Sequence, residues 1–149
     1  MKRIPRTDST PGFTLPELAT VLVILAVAVS SALPSLAALR DRMAILQARE
    51  ILVGAVAWAR RSSQGSGGAW VSVVPDSGRI HWGDDVQPRG SRDLKRELGV
   101  ILETPSRAPF TLRFDDLGLG QVTSRTIVFR RGSAETGVSL SSYGRVRRW

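Results

Sequence analysis

Arginine recurs at alternate positions near the end of the chain, where SSYGRVRRW sets Arg145, Arg147 and Arg148 beside Tyr143 and Trp149. Successive side chains of an extended strand point to opposite faces. Tyr143, Arg145, Arg147 and Trp149 therefore share one face unless Gly144 breaks the alternation. Guanidinium groups so placed suit phosphates, and rings beside them suit exposed bases. Each phosphate contact releases counterions, which makes such binding steeply salt-dependent with little need for sequence preference. Arg125, Arg130 and Arg131, in or beside RTIVFRR, extend the same basic surface. The plainer alternative is a solvated basic tail.

Catalytic chemistry finds little support. His81 is the one histidine, set between Ile80 and Trp82, with none of the partners that acid–base catalysis or metal ligation requires at a recognisable spacing. Asp84 with Asp85, and Asp115 with Asp116, are adjacent pairs; neighbours on a strand face opposite ways, so solvated turn carboxylates are expected. Gly118 to Gly120 is a turn signal without the full phosphate-binding glycine pattern. With no cysteine in 149 residues, disulfides, thiolate metal sites and cysteine nucleophiles are excluded. Neither an enzyme nor a resident cofactor or metal is expected.

The formal charge is +8, and the last 45 residues hold 8 of the cations against 3 carboxylates. That imbalance favours polyanionic partners: nucleic acid, anionic headgroups or acidic proteins.

The elements that must carry this tail begin with an apolar run. Leu18 to Leu39 is uncharged, with Glu17 just before it and Lys2, Arg3 and Arg6 upstream. As a helix it reaches about 33 Å, against a hydrocarbon core of about 30 Å. The upstream cations favour an inside N-terminus and an exported body. Glu17 needs a partner, or a place at headgroup level, because a carboxylate in the membrane interior costs about 2.5 to 3.5 kcal/mol on insertion scales. Beyond Leu39 an amphipathic helix continues through RDRMAILQAREILVGAVAWARRSS, with Met43, Leu46, Ile51, Val53, Val56 and Trp58 as its apolar positions. Pro34 should kink this helix or melt a turn, and Gly65, Gly67 and Gly68 should stop it. Short β-prone runs follow: AWVSVVP, RIHW, GVILET, FTLRFD, RTIVFRR and GVSLSS, separated by DSG, GDD, LGLG and RGSAETG. Residues 84–98 read as a loop ending in a short helical turn.

GFTLPEL, residues 12–18, resembles the processing site of type IV prepilins and of type II secretion pseudopilins. The resemblance implies cleavage by a prepilin peptidase between Gly12 and Phe13, methylation of the new N-terminus, and retention of the apolar helix, whereas an ordinary secretory signal is cut after its apolar region. It implies that Glu17 neutralises the N-terminal amine of a neighbouring subunit during assembly. The absence of a C-terminal disulfide loop leans towards a minor pilin or pseudopilin. The helix end WARRSS and the closing Gly144-Arg145-Val146-Arg147 resemble the GspH/FimT-type minor pilins, in which a Gly-Arg-x-Arg motif is associated with DNA binding during uptake.

The expectation is thus an α+β, pilin-like protein: leader 1–12, transmembrane assembly helix 13–39, amphipathic outer half 40–64, and a β-rich domain 69–149 with a basic tail. A small antiparallel sheet packs on the outer half of the helix. The implied life history is a single-pass inner-membrane precursor with its C-terminal domain exported, which then joins a type IV pilus or competence pseudopilus. Other pilins, the prepilin peptidase and an assembly platform are the implied partners. DNA would bind through Arg145, Arg147, Arg148, Arg130, Arg131 and Trp149. The alternatives are a GspH-like minor pseudopilin of type II secretion, and tail arginines that pair with acidic residues of the next subunit.

Overall fold

A computed structural model describes residues 12–121 and 124–149. Lys2, Arg3, Arg6 and the leader expectation up to residue 11 lie outside the described residues. The chain separates into two compact units, Met1–Leu36 and Ala37–Trp149, and one helix, α1 (Leu15–Ser66), contributes to both.

In the first unit the helix start is written in Thr14 and Glu17. The Thr14 amide and hydroxyl both donate to Oε2 of Glu17, at 2.8 and 2.7 Å. A carboxylate at the third helical position thereby satisfies the cap amide, half of a capping box. Leu18, Val21, Leu22, Val23, Ile24, Leu25, Val27 and Val29 are all exposed, and hydroxyls among them are spent inside the helix: Thr20 donates to the Pro16 carbonyl and Ser30 to that of Ala26. Nothing in water rewards such a surface, whereas a hydrocarbon phase with internally satisfied polar groups does. The helix is long and apolar enough to cross a membrane. It stays helical through Pro34, so no turn melts there.

The second unit adds β1 (Ala69–Val74), β2 (Arg79–Asp84), β3 (Pro88–Asp93), α2 (Leu94–Leu98), β4 (Ile101–Glu103), β5 (Phe110–Phe114), β6 (Gly120–Gln121), β7 (Arg125–Arg131), β8 (Ala134–Leu140) and β9 (Val146–Arg148). Two antiparallel sheets form among the described residues, in the orders β3-β2-β1-β5-β6 and β4-β7-β8-β9. One small sheet was the expectation. The core joins both sheets to α1: Ala44, Ile45, Ala48, Leu52, Ala55, Val56 and Ala59 lie three or four apart on the helix and meet Val71, Val73, Ile80, Leu112, Phe114, Ile127, Phe129, Val138 and Leu140.

Three sequence expectations need correction. The buried helical stripe is half alanine, and Met43, expected on the apolar face, is 62% exposed; small residues let the sheets approach the helix. Residues 88–93 form a strand rather than a loop, because β3 is an edge strand paired only to β2, where exposed polar residues and an initial proline are tolerated. RGSAETG is mostly strand, for β7 and β8 pair as far as Arg131 with Ala134 and leave two residues in the turn.

Candidate functional site

The C-terminal arginines are sorted by the register of β9. Ser139 of β8 pairs with Arg147 of β9 and with Thr126 of β7. Directly paired residues share a sheet face, so Arg147 stands in a row with two hydroxyls, Thr126 and Ser139, on the face opposite buried Val138 and Leu140. Arg148 pairs with Val138 and so faces the helix, where its Nη2 meets Oε2 of Glu50 at 3.1 Å.

A tight turn precedes the strand. The Gly144 amide donates to the Ser141 carbonyl, and the Arg145 amide to Ser141 Oγ. Gly144 has φ +73°, and a Cβ there would stand 2.6 Å from Cε1 of Phe114, so this position needs glycine. The turn takes Tyr143 out of the alternating row, as a glycine break would. Tyr143 remains 74% exposed.

Arg145 and Arg147 line a cleft of about 420 Å³ together with Ser124, Arg125, Thr126, Ser139, Leu140 and Ser141. Arg125 enters from β7. Its Nη1 donates to Ser106 Oγ at 3.0 Å and its guanidinium lies 5.5 Å from the centre of the Phe110 ring. Arg145, Arg147 and several hydroxyls therefore line a cleft that has no carboxylate in its lining, a donor set for phosphate oxygens, while Arg125 pairs with Leu140, starts from the opposite sheet face and has its guanidinium held by Ser106. Arg145 and Arg147 are exposed, and neither side chain has a hydrogen-bond or ion-pair partner among the described residues.

The other candidate arginines are committed elsewhere. Arg130 reaches Glu135 at 2.7 Å and Glu103 at 3.4 Å; the Glu135 hydrogen bond first, then the Glu103 charge, raise its pKa above the ordinary value. Arg131 meets Asp41 at 2.8 Å and donates to the Leu98 carbonyl. The continuous basic surface expected from the sequence is thus divided: Arg130, Arg131 and Arg148 are ion-paired within the chain, Arg125 is held by Ser106 and Phe110, and Arg145 and Arg147 stay open. Sequence reading marked Arg125 only as an extension of the surface, since nothing local shows that β7 begins beside the β9 turn.

Trp149 belongs to a different cleft. Its backbone exchanges two hydrogen bonds with Gly137, both 3.1 Å, and its carbonyl accepts from Thr136 Oγ1 at 2.8 Å. The indole lies where a Cβ on Gly137 would stand, and it lines the cleft with Arg42, Ile45, Leu46, Arg49, Ala134, Glu135 and Thr136.

His81 lies in a sheet row with Ser72 and Ser91, and no cluster able to hold a metal occurs among the described residues. Asp84 departs from the solvated turn carboxylate expected: it is 3% exposed. It accepts from the amides of Val86 and Gln87 at 3.0 and 2.8 Å and meets Arg89 Nε at 2.8 Å. The Arg89 hydrogen bond, then the Gln87 amide, hold its pKa below the ordinary 3.8. Asp115 does cap its turn, accepting from the amides of Leu117 and Leu119. At the other end of the chain, Gly12 and Phe13 are exposed and non-helical, two residues before α1 begins, and together with Thr14 and Glu17 they line a small recess.

No protein-family model matches the chain, and no curated protein matches it. Among solved structures it is similar to the type IV minor pilin FimU of Pseudomonas aeruginosa in two crystal forms. In space group P21 the identity is 18%, with 72% of this chain and 90% of that one covered and a TM-score of 0.58. In space group P65 the figures are 17%, 70%, 91% and 0.54. A long apolar N-terminal helix and an antiparallel β domain built on its outer half make this an α+β protein with the pilin fold.

Proposed function

We propose that the chain is a FimT-like minor pilin: a subunit inserted as a prepilin, cut between Gly12 and Phe13, assembled into a type IV pilus or competence pseudopilus, and binding DNA for uptake. The observation that carries the DNA part is the open cleft of Arg145 and Arg147, lined by hydroxyls and free of carboxylates, while neighbouring arginines are internally paired. Arg145 and Arg147 also fill the two arginine positions of the Gly-Arg-x-Arg pattern. Glu17 serves assembly: bound to Thr14 in the single chain, it exchanges that partner for the N-terminal amine of an adjacent subunit. Prepilin peptidase, other pilins and the assembly platform are the partners this history requires.

The test is DNA binding by the full chain in detergent over a salt series, read by fluorescence anisotropy. Losing two phosphate contacts in R145Q/R147Q should reduce the slope of log affinity against log salt by about 1.8, at about 0.9 per phosphate on duplex DNA. R130Q/R131Q should bind nearly as the wild type does. Binding by neither removes the DNA reading, and equal binding by wild type and R145Q/R147Q removes the tail as the DNA receptor; either outcome favours a GspH-like pseudopilin of type II secretion whose contacts are proteins.

A further inference from the structure

The five-stranded sheet has an outer face turned away from the core, and Trp70 stands near its middle. In β1 the residues Ala69, Val71 and Val73 are buried, so Trp70 and Ser72 face outward. Trp70 pairs with Gly83 on one side and with Arg113 on the other, and Arg113 pairs in turn with Gln121. The indole leans across Gly83, where a Cβ would stand 2.9 Å from its Cζ2, and its Nε1 donates to the Asp84 carbonyl at 3.0 Å. The ring is thus pinned and its one donor is spent. What it still offers is its face, which is partly exposed.

Two residues before Trp70 on the same face, Gly68 leaves a gap. A Cβ there would collide with the Asp85 carboxylate. The gap opens a recess of about 140 Å³ lined by Gly67, Gly68, Asp85, Arg113, Asp115 and Gln121. Asp115 spends Oδ1 on the amides of Leu117 and Leu119. Asp85, Arg113 and Gln121 are exposed, and none of these three side chains has a hydrogen-bond or ion-pair partner among the described residues.

That lining selects the class of ligand. A phosphate or other anion would meet two carboxylates, and a metal cation would meet the Arg113 guanidinium. A peptide strand needs an open sheet edge for its ladder, whereas β1 is the central strand. A neutral polyol is repelled by none of these. Each of its hydroxyls both donates and accepts, so neighbouring hydroxyls can donate to Asp85 and accept from Arg113, while the Gln121 amide does either. Its C–H groups carry partial positive charge and suit the negative face of an indole. The recess is smaller than the clefts of about 300 Å³ and more that enclose a drug-sized ligand, so it takes one ring of a longer chain. The next row on the same face, Ser91, His81, Ser72 and Thr111, continues the polar surface on which that chain would lie.

We propose that this face binds a neutral hexopyranose polysaccharide, with one ring stacked on Trp70 and its hydroxyls held by Asp85, Arg113 and Gln121. The site is separate from the cleft of Arg145 and Arg147 and independent of DNA binding. A subunit so equipped holds a glycan through contacts that salt weakens little, since the ligand has no charge to screen.

The test titrates the full chain, in a detergent without a sugar headgroup, with cellohexaose, maltohexaose and N-acetylchitohexaose, read by calorimetry and by tryptophan fluorescence. At least one should bind, with an affinity nearly constant from low to high salt. D85A and R113A alter only exposed side chains, and each should lower that affinity about tenfold or more, the cost of a lost hydrogen bond to a charged group. G68A, whose Cβ pushes the Asp85 carboxylate from its place, should weaken binding in the same way, and R145Q/R147Q should leave it unchanged. Binding of none of the three sugars overturns the proposal, as does binding that D85A, R113A and G68A all leave intact. An affinity that falls steeply with salt and disappears in R145Q/R147Q assigns the ligand to the basic cleft and overturns it too.

Discussion

Asp84 shows how much one side chain can organise. It closes the bend after β2 by accepting two amides, and it fixes Arg89 at the start of β3. Because its pKa is lowered on folding, its contribution is present above the unfolded value near 3.8 and is lost as pH falls through the lower folded value. D84N should therefore be less stable than wild type at pH 7, and the gap should narrow as the pH drops below 3.8. Chemical denaturation at a series of pH values checks this; a gap that is constant with pH would contradict it. From sequence alone the residue read as a solvated turn acid, since the amides that surround it come from a bend whose shape is not visible in GDD. Arg147 and Arg148 make the same point. They are chemically alike and adjacent, and their roles separate only when the pairing partner of each is known.

Among the elements, legibility follows the strength of the apolar pattern. β1, β5 and β7 show alternation of buried and open residues and lie close to where the sequence places them, whereas β8 buries three residues in a row, Thr136 to Val138, and starts three residues before the run GVSLSS. β3 has no such pattern, since as an edge strand it buries little and is held by its ladder to β2. The outer half of α1 is legible as amphipathic, with Val56 buried and Ile51, Val53 and Trp58 packed against the core, but Met43 is exposed and the buried alanines Ala44, Ala48, Ala55 and Ala59 carry no apolar signal as strong as that of larger residues. Those alanines set how closely the strands approach the helix. Ala48 is fully buried, so A48L should overfill the interface and cost about 1 to 3 kcal/mol, whereas L52A should leave a cavity and cost about 2 to 5 kcal/mol. Urea unfolding of the two variants measures both, and a neutral A48L would show that the helix–sheet spacing is slack.

The molecule as a whole combines an apolar helix that has no core of its own with a β domain that has one. The exposed first unit is explained only by surroundings, lipid first and other subunits in the filament reading. Replacing Gly12 by a bulky residue should leave an uncut precursor, seen as a mass difference. E17A should still enter the membrane while its incorporation into filaments falls; unchanged incorporation would leave the Thr14 cap as its sole role. The candidate site was half legible at this scale, for Arg145 and Arg147 announce themselves by spacing, but the junction of Arg147 with the hydroxyls of Thr126 and Ser139 depends on how β7, β8 and β9 lie side by side. That junction also has a mechanical side. β9 displays Arg147 outward while its ladder to β8 and the Arg148–Glu50 pair fasten the same strand inward. Tension applied at Arg147 is therefore carried by β8 and by α1 together, so the short closing strand works as a tow-point whose load reaches the helix without passing through a loop.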